Sequence, residues 1–306
     1  MKKGTKTALA LGAACAVSGT WLAYDIVFRR SERRQADHHE IPPEDEGYRE
    51  ESVKNIDILL ETPYEAVTIR SHDGLKLRGK FYEDRSGAPL LLFFHGYRST
   101  AERDGSGGFS LCREKGWNAM MVDQRAHGES QGKTITFGAK ERYDVLDWVN
   151  WAVRRFGEDQ EIYLVGVSMG AATVLMAAGL GLPPQVKGVW ADCGYSSTEG
   201  VLRHMIRRWK LPETLTFAAA RLGGWIFGGF DVREITPLEA VKKAEVPILL
   251  IHGEDDNVVP HHMAEEIREA CAAPVEIVSV PKAHHGMSFY VDNARYRSAV
   301  ERLIEG

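Results

Sequence analysis

Four cysteines, at 15, 112, 193 and 271, are sparsely scattered over 306 residues. Their spacings match no zinc or redox motif, and so few cannot build a disulfide framework. Buried apolar roles fit them better. Basic surplus is also missing: the net charge is −5, which argues against a general nucleic-acid binder. No internal repeat is evident. The paired histidines 38–39, 261–262 and 284–285 do not make metal sites, because neighbouring residues on a strand or helix point in different directions. No metal and no cofactor is expected. Arg98 and Arg125 could meet a substrate carboxylate, but structural or surface roles are the simpler reading.

What is present begins with an apolar run, "TALALGAACAVSGTWLAYDIVF" (7–28), between Lys2, Lys3 and Lys6 and the basic "RRSERR" (29–34). Its length suits one membrane-spanning helix, with Trp21 and Tyr24 at the interface. It continues past "ACA" (14–16), which favours an uncleaved anchor over a cleaved signal peptide. Residues 1–34 are therefore expected as a single-pass anchor in the cell membrane; its basic flanks barely fix the orientation. Residues 35–62 are polar and acidic and read as a linker with at most a short helix.

From residue 63 to 306 the pattern becomes regular. "EAVTIRS" and "LKLRGKFYE" alternate about "HDG", as an antiparallel hairpin does. "PLLLFF" (89–94) is a continuous apolar run, the mark of a strand covered on both faces. Strand-like "NAMMVD", "EIYLVG", "VKGVWAD", "VPILLIHG" and "PVEIVSV" then alternate with helical stretches such as 140–156, where Val145, Trp148, Val149 and Val153 share a face. Such alternation implies a mostly parallel sheet with helices on both faces. Residues from about 195 to 244 interrupt it with aromatics lacking strand spacing, and are expected as a small helical cap.

Two stretches spell Gly-x-Ser-x-Gly: "GESQG" (128–132) and "GVSMG" (166–170). The chemistry behind that pattern needs a serine on a sharp turn between a buried strand and a helix. Ser130 lacks that context. Ser168 follows "EIYLV" and precedes "AATVLMAA", so it is the expected nucleophile, with helix N–H groups near the reacting centre. A serine needs a histidine and a carboxylate, expected downstream at strand ends in the order acid, then histidine. "HGEDDNVVP" offers Glu254, Asp255 and Asp256; "PKAHHGMS" offers His284 and His285. Spacing does not choose within either cluster.

"FFHGYRST", "DQRAHGES", "GVSMGAAT", "IHGEDDNVVP" and "KAHHGMSF", in this order, resemble the α/β-hydrolase superfamily over about residues 65–305. More narrowly they are similar to bacterial membrane-anchored or secreted hydrolases of the serine aminopeptidase-like and prolyl-oligopeptidase-like branch. The resemblance implies an α/β-hydrolase fold and selects Asp256 as the acid and His285 as the base, with Asp255 and His284 as fallbacks. It implies an oxyanion hole from the backbone N–H groups of Tyr97 and Met169, and a structural role for the loop Asp123 to Ser130. The expected activity is hydrolysis of an ester, thioester or amide through an acyl-enzyme, most simply as a carboxylesterase or lipase-like enzyme. Its partner would be a small acyl substrate, lipid or short peptide. The alternatives are a small peptidase, or an inactive membrane-tethered binding module.

Overall fold

The computed structural model describes residues 18–30 and 37–306. Eight strands form one sheet in the order β1-β2-β4-β3-β5-β6-β7-β8. They are β1 (Glu65–Arg70), β2 (Lys76–Tyr82), β3 (Leu90–Phe94), β4 (Asn118–Asp123), β5 (Ile162–Val167), β6 (Val186–Asp192), β7 (Ile248–Gly253) and β8 (Val275–Val280). β1 and β2 form the antiparallel edge hairpin that the alternation predicts, and β2 meets β4 antiparallel. The other pairings are parallel.

Helices cover both faces. β3 is buried at every residue, because apolar side chains pack above it and below it. One core layer holds Leu92, Val122, Leu164 and Trp148 under the helix Glu141–Phe156. The other holds Phe93, Phe109, Trp190 and Tyr296 under the helices Ala101–Lys115 and Asn293–Glu305. This is the α/β-hydrolase fold, with every parallel strand ending at one edge, where ligand sites of such sheets lie.

The insertion between β6 and β7 is helical over Thr198–Arg208, Glu213–Gly223 and a π-helical turn Gly224–Gly228. It joins a third apolar cluster above the strand ends, with Phe137, Tyr195, Ile206, Phe217 and Phe230.

Two expectations need correction. Among the described residues no helix is long and apolar enough to cross a membrane; the first part of the apolar run, 1–17, lies outside them. Residues 18–27 are helical, and they dock on the rest of the fold. Tyr24 and Phe28 are buried in the third cluster, and Phe28 packs edge-on against Phe137 and Phe230. Tyr24 thus faces protein, with its hydroxyl 2.8 Å from Thr134 Oγ1. An apolar stripe reads alike whether lipid or protein covers it, and over residues 18–28 protein does. The second correction concerns 35–62. A 3₁₀ turn Pro43–Tyr48 leads into the helix Arg49–Glu61, which packs on Ala101–Lys115. Ser52, Ile56 and Leu59 form its buried stripe, so the segment belongs to the core.

Candidate active site

Ser168 stands between β5 and the helix Met169–Ala178, with φ 55° and ψ −113°. A non-glycine residue held there is strained by about 1–3 kcal/mol, and the packing around the turn enforces it. A Cβ on Gly170 would meet the Phe94 carbonyl oxygen at 1.8 Å, and one on Gly166 would meet the Gly170 backbone at 2.3 Å. Both glycines are required because helix and strands approach too closely for side chains. Ser168 N–H donates to the Asp192 carbonyl at 2.8 Å, pinning the turn to β6.

The loops after β7 and β8 deliver the other groups. Ser168 Oγ lies 2.9 Å from His285 Nε2, and His285 Nδ1 lies 2.7 Å from Asp256 Oδ2. Asp256 Oδ1 accepts from the backbone N–H groups of Val258 and Val259, each at 2.8 Å. With the carboxylate on Nδ1, that nitrogen carries the proton and Nε2 is left as the acceptor for the serine hydroxyl. Burial alone would raise the Asp256 carboxyl; the charge of His285 and hydrogen bonds from His252 and His285 overcome it and hold it far below the usual range. Burial would lower His285; its pairing with Asp256 overcomes this and raises it well above 6.5. Within the acidic cluster Glu254 and Asp255 are exposed. His284 turns the other way, with Nδ1 2.7 Å from Asp45 Oδ1.

His252 was not singled out from the sequence. Its Nε2 lies 2.8 Å from the Val259 carbonyl oxygen and 3.3 Å from Asp256 Oδ2, so it braces the acid loop from the strand below. Only the His-Gly pair ending β7 could have signalled it.

Tyr97 and Met169 flank Ser168 at the floor of a cavity of about 290 Å³. Met169 is the first residue of its helix, where the N–H has no partner within the helix. The Tyr97 loop is held by "DQRAH". The Gln124 side-chain amide donates to the His95 carbonyl. Arg98 N–H donates to His127 Nε2 at 3.0 Å, and His127 Nδ1 lies 3.0 Å from the Arg125 carbonyl. One ring proton, on Nδ1, satisfies both bonds, so His127 must be neutral. Burial first, then His95, push its pKa well below 6.5.

The other Gly-x-Ser-x-Gly is a structural clasp. Ser130 is fully buried; its hydroxyl donates to the Asp123 carbonyl at 2.6 Å and accepts from Arg78 N–H at 2.8 Å. A Cβ on Gly128 would meet Asp123 Oδ2 at 2.3 Å. Arg125 is structural as well, forking onto Asp144 with two bonds of 2.6 Å. Arg98 lines the cavity and donates to the Ile26 carbonyl.

The cavity is overwhelmingly apolar, with Phe137, Leu202, Met205 and Ile206 among its walls; Ile26 and Val27 close it from the N-terminal segment. That segment is tied down by Tyr97, whose hydroxyl donates to the Val27 carbonyl at 2.7 Å. Arg30 donates to the Ser130 and Gly128 carbonyls, each at 2.6 Å.

Comparison with known proteins points the same way. Residues 89–222 match the family model described as alpha/beta hydrolase fold, and residues 164–285 match the one described as Serine hydrolase (FSH1). The protein YqkD of Bacillus subtilis is 30% identical over 196 residues, covering 64% of each chain, so the match spans just under two thirds of that relative. The thiohydrolase aneE of Aspergillus aculeatus is 32% identical over 121 residues, 39% of this chain and 38% of its own. The esterase PF2001 of Pyrococcus furiosus superposes with a TM-score of 0.67 at 25% identity, covering 82% of this chain and 92% of its own.

Proposed function

We propose that this member of the α/β-hydrolase superfamily is a serine esterase that transfers an apolar acyl group to Ser168 and then to water. The observation that carries the reading is the unbroken line Ser168 Oγ, His285, Asp256, opening onto the apolar cavity. His285 Nε2 takes the hydroxyl proton as Oγ attacks the ester carbonyl. Asp256 holds the imidazole in its tautomer and stabilises the imidazolium. The N–H groups of Tyr97 and Met169 receive the oxyanion, where one donor is worth about 3 kcal/mol. His285 returns the proton to the departing alcohol or thiol, and a water repeats the sequence to free the acid and restore the serine. Thioesters fit the same steps, and the thiohydrolase relative lends them support.

The acyl group is inferred to be apolar because the cavity offers few polar partners. Each methylene buried contributes about 0.8 kcal/mol, so kcat/KM should climb along a series of p-nitrophenyl esters up to about four-fold per carbon until the cavity fills. The test is fluorophosphonate labelling with identification of the modified peptide, followed by turnover of that ester series, acyl thioesters and aminoacyl arylamides. Labelling at Ser168 with ester turnover is expected. A folded protein that stays unlabelled would be a binding module, and dominant cleavage of the arylamides would make it a peptidase.

A further inference from the structure

A second cavity, of about 280 Å³, lies next to the first site. It shares His285 with the site and is lined by Glu44, Asp45, Arg103, Asn257 and His284. Where the acyl cavity is almost wholly apolar, this one sets charged and polar groups among apolar wall from Ile41, Pro42, Val258 and Met287. The 3₁₀ turn Pro43–Tyr48 forms its outer wall. Asp45 is almost wholly buried and is paired with His284 at 2.7 Å, so the wall is fastened to the residue preceding the catalytic base.

Building on the esterase reading, we propose that this cavity is the alcohol subsite and that it takes a small neutral polyol of the glycerol class. The leaving oxygen must receive its proton from His285, so the alcohol has to lie beside that ring; the second cavity is lined by it. Its walls mix acceptors (Glu44, Asp45 and Asp104) with donors (Arg103, Asn257 and His284), and hydroxyl groups need both. A phosphate would face the three carboxylates Glu44, Asp45 and Asp104. A quaternary ammonium would face Arg103 and find no aromatic ring among the lining residues. The preferred substrate is then an apolar acyl group on a glycerol-like alcohol, one half in each cavity.

The experiment compares glyceryl and propyl esters of one acyl acid on the full chain. Wild type should favour the glyceryl ester by about ten-fold in kcat/KM, as one to two well-made hydrogen bonds allow. Asp45→Asn should narrow that ratio, with fluorophosphonate labelling of Ser168 verifying that the variant is folded. A measurement on wild type alone supplies the second arm: the acyl-enzyme formed from a p-nitrophenyl ester should pass its acyl group to added glycerol in preference to propan-1-ol. In that step the alcohol's proton goes to His285 and the new ester bond releases Ser168. A ratio near one in wild type, equal transfer to both alcohols, or a stronger preference for choline or glycerophosphate esters would overturn the subsite while leaving the esterase reading intact. Absence of both Ser168 labelling and p-nitrophenyl ester turnover would instead overturn the esterase reading, and the subsite with it.

Discussion

Ser168 Oγ and His285 Nε2 lie 2.9 Å apart across 117 positions of sequence, whereas the hydroxyl of the other serine of the same motif is bonded to the Asp123 carbonyl and the Arg78 N–H. Ser168→Ala should therefore lower kcat by about six orders of magnitude without loss of fold. Ser130→Ala should keep most activity. It should cost about 1–3 kcal/mol of stability, because it removes the buried hydroxyl that joins the Asp123 carbonyl to the Arg78 N–H. Ester turnover and denaturant melts on both variants check this, and loss of turnover confined to Ser130→Ala would reverse the assignment.

Activity should rise with pH through the ionisation of His285, since only the neutral ring can take the serine proton. Because Asp256 raises that ionisation, the acid limb of kcat/KM should lie above pH 6.5. The stability linked to the same pair runs the other way. A histidine whose folded pKa is raised contributes fully below its unfolded value of about 6.5, and the contribution fades as pH climbs through the folded value. Asp256→Asn should move the limb down and lower kcat by about 10⁴-fold. A pH–rate profile of both proteins reads the shift.

His127 acts at one remove, by holding Arg98 N–H and so the Tyr97 loop. His127→Ala should lower kcat by about one to two decades with little change in KM, since the displaced N–H serves the oxyanion more than the bound ester. A matching rise in KM would point to a general loss of structure instead.

Arg30→Ala removes two charge-assisted bonds to the Gly128–Ser130 loop. Stability should fall by about 2 kcal/mol. The rate advantage of long over short acyl esters should shrink, because Ile26 and Val27 would be held as cavity wall by Tyr97 and Arg98 without that third tie. A chain-length series on the variant, set beside a thermal melt, separates the two effects.

Much of this was legible in the letters. The continuous apolar strands, the edge hairpin and the interrupting cap all follow from periodicity. Ser168 was separable from Ser130 because only one lies between a buried strand and a small-residue helix. Residues 101–115 were not readable as a helix, since three glycines, at 105, 107 and 108, dilute its pattern. The helix Arg49–Glu61 was hidden for another reason. Its buried stripe is narrow and lies among acidic residues, so composition suggested a solvated tether. Asp45 was invisible too, because its importance rests on a contact with His284 that no local spacing encodes.

The lacing of residues 24–30 into the loop at 128–135 has a practical bearing on how the protein is handled. Trimming the first thirty residues as a disposable leader would unroof the acyl cavity, taking Ala23, Ile26 and Val27 from its wall and stripping Tyr97 and Arg98 of the carbonyls they grip. On the proposed esterase reading, such a shortened chain should still hydrolyse small activated esters. Its chain-length preference would describe a breached vessel, not the native one.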